Sequence, residues 1–185
     1  MNAETVLQFW FVQTPPALWF AKSEAFDGQI RDRFAATHQA AASGELFTWR
    51  DTLEGRLAEI IVLDQLSRNL FRDTAQAFAH DGMALALAQE AVRSGVGALP
   101  PERRAFAYMP YMHSESPLIH ARALELFSQP GLERSLDFEK AHAAIIERFG
   151  RYPHRNAALG RASTEAERAF FWSPARRSEP ALSPR

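Results

Sequence analysis

The chain has 185 residues, 46% of them hydrophobic and 23% charged, which is enough for one well-buried core and short for two. Nine glycines and eleven prolines are too few for a collagen-like or low-complexity chain, and a formal charge of -1 gives no whole-molecule attraction to nucleic acid or anionic membrane. The absence of cysteine excludes disulfide frameworks, thiol nucleophiles and thiolate-held metals.

The early uncharged stretch, residues 6–21, is broken by Gln8, Gln13 and Pro15-Pro16, and Glu4 stands where a secretory signal needs a cation. It reads as neither membrane span nor signal, so the cytoplasm is the expected location. Its aromatics, Phe9, Trp10, Phe11, Trp19 and Phe20, are expected to close the core at the N-terminus. After the prolines, Ser23 caps a helix whose Phe26, Ile30 and Phe34 fall four apart on one face, with Gly44 near its end. Asp51 and Glu54, in capping-box register, open a helix that is apolar almost all round between Leu57 and Leu66 and is therefore central. Further helices are predicted from Asp81 to Gly95, and from Pro100-Pro101 with a stop or kink at Met109 before Pro110. Others start at Ser116-Pro117, run from Pro130-Gly131 to Phe149 with Gly150 as punctuation, and follow a Thr164…Glu167 capping box. No run of β-branched residues insists on a strand. The fold class is all-α: about seven or eight helices in antiparallel pairs, forming one domain over 1–172, before a Pro-, Ser- and charge-rich tail, 173–185, predicted to be disordered.

Polar residues interrupt this pattern in three places. At 100° per residue, Leu53, Leu57, Ile60 and Phe71 share a narrow sector with Asp64 in its middle, so a carboxylate points at the core and needs Arg, His or backbone donors. Arg68, one turn on, is the nearest candidate, and His142 lies on the apolar face of Phe138, Ile145 and Phe149. A buried Asp meeting a buried His serves equally as a structural bond or as a base and its orienter. Second, Arg148, Arg151, Arg155 and Arg161, against Glu147, give a local excess of positive charge, with His154 in addition. Gly150 and Pro153 imply a turn that gathers the guanidinium groups, which suit carboxylate or phosphate, and Arg68 and Arg72 stand ready to join them. The alternative is that these arginines tie down buried acids such as Asp64 and Glu115. Third, His113 and Glu115 follow a proline break. With Asp64 and His142 they include the residue types of an oxygen and nitrogen metal site, but no diagnostic spacing accompanies them, so no metal or cofactor is assigned. His154-Arg155-Asn156 matches a kinase catalytic loop only in isolation, with no glycine-rich phosphate loop before it.

The blocks VLQFWF (6–11), LDQLSRNLFR (63–72), the MPYMHSE run (109–115) and RFGRYPHRNAALGRAST (148–164) resemble the signatures of a bacterial family known as domain of unknown function 924. The resemblance implies a fold similar to tetratricopeptide-repeat domains, with helices stacked around a concave face, and carries no established activity. It covers Asp64, Gln65, Arg68, Asn69, Arg72, His113, Glu115, Arg148, Gly150, Arg151, Pro153, His154, Arg155, Asn156, Gly160 and Arg161. The chain departs from the pattern after Glu115, where His120 stands in place of a glutamine.

Three functional readings follow. The first is binding, with turnover left open, of a small anionic, phosphorylated or carboxylated ligand. In it Asp64, His113, Glu115 and His142 are the candidate proton-transfer groups, and Arg68, Arg72, Arg148, Arg151, His154, Arg155, Asn156 and Arg161 hold the anion. The second is a non-catalytic scaffold that holds a peptide or protein partner. The third is an internal ionic network that specifies one helix packing.

Overall fold

The computed structural model describes residues 1–172, and all regular structure among them is helical. The tail predicted to be disordered, 173–185, lies outside the described residues. Asn2 caps α1 (Ala3–Gln8) by accepting the Thr5 amide at 2.9 Å, and the chain passes straight into a π turn, Phe9–Gln13. Phe9 and Trp10 enter the core as expected. Trp19 is half-buried and Phe20 exposed, and both lie on a lip after the short turn Pro16–Leu18. Ser23 caps α2 (Glu24–Ala42), which buries Phe26, Ile30 and Phe34.

The central helix α3 runs Leu53–Ile61, through a π turn at Val62–Leu66, to Ser67–Leu70. Its cap is Thr52, whose hydroxyl accepts the Gly55 amide at 3.0 Å, and not Asp51. The reason is backbone shape. Asp51 ends a 3-10 turn, Phe47–Asp51, while Thr52 has the extended dihedrals a cap needs. The turn packs so close that a Cβ on Gly55 would fall 1.9 Å from the Trp49 carbonyl oxygen.

Helix α4 spans Asp81–Arg93, and α5 spans Pro101–Met112 without a break at Met109. Pro110 lies in the last turn of α5. Its missing N–H therefore costs one hydrogen bond, and the turn is closed by the His113 amide on the Met109 carbonyl at 3.0 Å. Helices α6 (Pro117–Phe127) and α7 (Glu133–Phe149) follow, the latter ended by Gly150 at φ +67°. The reciprocal box of Thr164 and Glu167 opens α8 (Glu165–Trp172). This makes eight helices among the described residues.

The main core gathers around α3, whose residues from Leu57 to Asn69 are all buried. A smaller cluster of Ile145, Ile146 and Tyr152 is joined to it through Phe138. Among the described residues no helix is long and apolar enough to cross a membrane.

Candidate functional site

The second π turn places Asp64. One extra residue in the turn shifts side chains round the helix, and here it aims Asp64 and Gln65 at the C-terminal end of α5. Asp64 retains 1% exposure and is fully partnered. Its Oδ1 lies 2.7 Å from His113 Nδ1 and 3.1 Å from the Arg68 guanidinium, and its Oδ2 accepts from Gln65 Nε2 at 2.6 Å. Burial alone would raise the Asp64 carboxyl. The Arg68 cation and the contacts from His113 and Gln65 outweigh it and hold the group well below the usual carboxylate range.

An ionised Asp64 carries no proton, so His113 Nδ1 is the donor and the other nitrogen, Nε2, holds the lone pair. Burial lowers the His113 pKa; Asp64 offsets this in part and Arg68 adds to it, so the ring is neutral near pH 7. Nε2 has no hydrogen-bond partner among the described residues, and it is not sealed from solvent. Asp64 and His113 thus form an oriented dyad with one open acceptor.

His113 lines a cleft of about 490 Å³. One wall is a full-length stripe of α5, including Phe106, Met109 and Met112; another is the lip with Trp19 and Phe20; the third is α7, through Arg134, Ser135, Phe138 and His142. Phe106 anchors the lip. Its ring meets Trp19 edge-on at 5.0 Å and stacks on Phe20 at 6.1 Å, while Trp19 Nε1 donates to the Trp10 carbonyl. His142 is buried, with Nδ1 2.8 Å from the Phe138 carbonyl, and its ring lies 5.6 Å from that of Tyr152.

The arginines do not converge on one open spot. Arg68 and Arg155 meet at Asp81, at 3.2 and 3.0 Å. Arg155 also donates to the His113 carbonyl at 2.9 Å, and its guanidinium lies 4.6 Å from the centre of the Phe78 ring and 4.8 Å from that of Tyr152. Arg72 forks onto Asp27. Arg161 forks onto Glu115, which also accepts the Tyr152 amide, so Glu115 is bound into this turn. Arg151 forks onto Glu167, and Asn156 bridges Ser163, Glu167 and Arg161. Arg148 covers the Phe149 and Phe170 rings, and the His154 ring lies 5.3 Å from that of Tyr152.

His120, the departure from the family pattern, is buried under the same turn. Its Nε2 faces the Ser114 carbonyl at 2.8 Å and its Nδ1 the Glu139 carboxyl at 2.6 Å. Burial raises the Glu139 pKa, and His120 offsets this only in part. Among the described residues no three His, Asp or Glu side chains are grouped to hold a metal ion.

The cleft walls were not legible as a site in the sequence. Met109, Met112 and Phe138 fall at ordinary helical spacing, which a core face also produces. The one available signal was Phe20, a large aromatic next to a turn.

A family described as "Bacterial protein of unknown function (DUF924)" matches residues 6–175. The solved structure of a protein of unknown function, ATU0120 from Agrobacterium tumefaciens, is similar to this chain with 40% sequence identity and a TM-score of 0.87. The match covers 91% of this chain and 96% of that one. No curated protein matches the chain significantly.

Proposed function

The chain belongs to the bacterial family of unknown function DUF924, and we propose that it binds a small, largely apolar molecule in this cleft, with a proton-donating group of the ligand on His113 Nε2. The observation that carries the reading is the pairing of an occupied Nδ1, held by buried Asp64, with an open Nε2 at the end of a cleft of about 490 Å³. That volume lies in the range of small-molecule sites, and mostly apolar walls with few polar groups are what such sites use to combine affinity with orientation. Asp64 fixes the tautomer, so the contact that binds a proton donor also accepts its proton when the donor ionises, which is general-base chemistry.

The carboxylated ligand expected from the sequence keeps a place in this reading, with a different seat. Arg68, Arg72, Arg151, Arg155 and Arg161 are engaged by carboxylates of the chain itself. In this reading an acid group is seated at the histidine end of the cleft, and Arg134 stands at the opposite end.

Long-range proton–nitrogen NMR of the imidazoles tests the proposal. His113 is expected to be protonated on Nδ1 and bare on Nε2 at pH 7, and its Nε2 resonance should move when decan-1-ol is added. A doubly protonated His113 at pH 7, or a ring blind to every apolar probe, rejects it.

A further inference from the structure

The cleft has two distinct ends. Gly131, at φ +84°, lets the start of α7 lie against the start of α5: a Cβ there would come within 2.8 Å of Pro101 Cγ. At the other end, Tyr152 ties the two helices, since its hydroxyl donates to the Met112 carbonyl and its ring meets that of His142. Helices α5 and α7 therefore run side by side in the same direction along the cleft. Glu102 and Arg134 mark the exposed end, and His113 and His142 the buried end. At about 1.5 Å per residue, the walls are about 16 Å long from Glu102 to His113 and about 12 Å from Arg134 to His142. Between these ends the lining is Phe106, Met109, Met112, Trp19, Phe20 and Phe138, with Ser135 its small polar interruption. Unbranched methionine side chains adapt to an irregular or mobile apolar body.

Resting on the reading of the cleft given above, we propose that its ligand is a straight-chain carboxylic acid, or the acyl part of a larger molecule, with the carboxyl group at His113 and the chain lying along α5 toward Glu102 and Arg134. Length argues for a chain over a compact ring system. Chemistry places the acid at the buried end, because His113 Nε2 accepts the acid's proton there and the resulting imidazolium lies between Asp64 and the ligand's carboxylate. The titratable and charged groups around that ring are Asp64 and Arg68 from α3, Asp81 from α4, His142 from α7 and Arg155 from the turn after it. Asp64 and Asp81 face Arg68 and Arg155, so these four nearly cancel, and the carboxylate's own charge stabilises the added proton. Binding of the carboxylate form from neutral solution should thus take up one proton, whereas binding of an alcohol should take up none.

Calorimetric titration of the full chain with octanoate, decanoate, dodecanoate, hexadecanoate and decan-1-ol tests this. The titrations are run in two buffers of different ionisation enthalpy, on the wild type and on His113→Gln and Ser135→Phe, with Ser135→Leu as a smaller plug and circular dichroism as the folding control. Affinity is expected to rise about fourfold per added methylene and then level off once the chain outruns the cleft. Proton uptake close to one per acid should appear in the wild type and vanish in His113→Gln, and the Ser135 plugs should weaken every chain. If decan-1-ol binds, is blocked by the Ser135 plugs, and the acids show neither preference nor proton uptake, the ligand class is overturned and the cleft reading stands. If no chain binds and the plugs alter nothing, both fall.

Discussion

The arginine-rich turn, residues 148–161, and the cleft beside α5 both hold polar side chains close to apolar walls, and they treat them in opposite ways. In the turn, Arg151, Arg155 and Arg161 each face a carboxylate of the chain, at 2.6 to 3.0 Å. At the cleft, only one edge of His113 is used internally, and the other stays open. A closed set of ion pairs orders the chain around it and leaves little to offer a ligand. A half-used imidazole held by a buried carboxylate is oriented yet available. The contrast teaches that local charge density in a sequence does not tell which valences the fold leaves unspent.

The strongest way to break this comparison is Asp64→Asn, which removes the carboxylate that holds His113 and pairs with Arg68, the residue joined to the turn through Asp81 and Arg155. It leaves Arg68 buried without its nearest counter-charge, and the loss of stability on urea unfolding is expected to be about 3–5 kcal/mol. A loss below about 1 kcal/mol would mean that Asp81 alone satisfies Arg68 and that Asp64 serves His113 only.

Acid should act next. His38 is buried on α2, with Nε2 2.7 Å from Ser67 Oγ, whose own proton goes to the Leu63 carbonyl. Burial, with His80 nearby, lowers the His38 pKa to about 4 from an ordinary 6.5. A depressed histidine stabilises the fold fully above the unfolded value and loses that contribution as pH falls from 6.5 toward 4. From pH 7 to pH 5 the expected loss is about 2 kcal/mol, measured by denaturant titration at both values. His38→Leu should flatten this slope, and an unchanged slope would assign it to His113, which is shifted in the same direction.

Glu115→Gln sharpens the comparison from the turn's side. It weakens the Arg161 fork while the amide oxygen can still accept the Tyr152 N–H, so the expected cost is about 1.5 kcal/mol, with decan-1-ol binding at the cleft unchanged. Abolished binding in a folded Glu115→Gln chain would show the turn to be part of the site. The smallest effect belongs to Ser135→Phe, expected to change stability by no more than about 0.5 kcal/mol while closing the cleft to apolar probes. A large destabilisation there would mean that the cleft is packed core.

Much of this fold was legible residue by residue. Ser23 and the Thr164…Glu167 box cap helices where the sequence places them, and Gly150 ends α7, because a cap depends on groups within one turn of chain. Two local readings failed for reasons equally physical. Thr52 displaced Asp51 once Gly55 admitted the Trp49 turn, and α5 did not stop at Met109, because Pro110 falls in its last turn and removes one hydrogen bond there. The core-directed aim of Asp64 and its pairing with Arg68 also followed from helical spacing, both being properties of one helix.

What the sequence by itself determined is therefore the set of helices, most of their ends, and the presence of a carboxylate turned inward. Only the tertiary structure decided that His113 meets that carboxylate, that Arg151, Arg155 and Arg161 are engaged by the chain's own acids, and that Trp19, Phe20 and Phe138 wall a cleft at the edge of the core. Those outcomes turn on contacts between residues tens of positions apart, on a π turn from which Asp64 and Gln65 reach the C-terminal end of α5, and on α5 and α7 lying parallel. Spacing along one helix encodes its own face, but the partner of that face is chosen only when the helices pack.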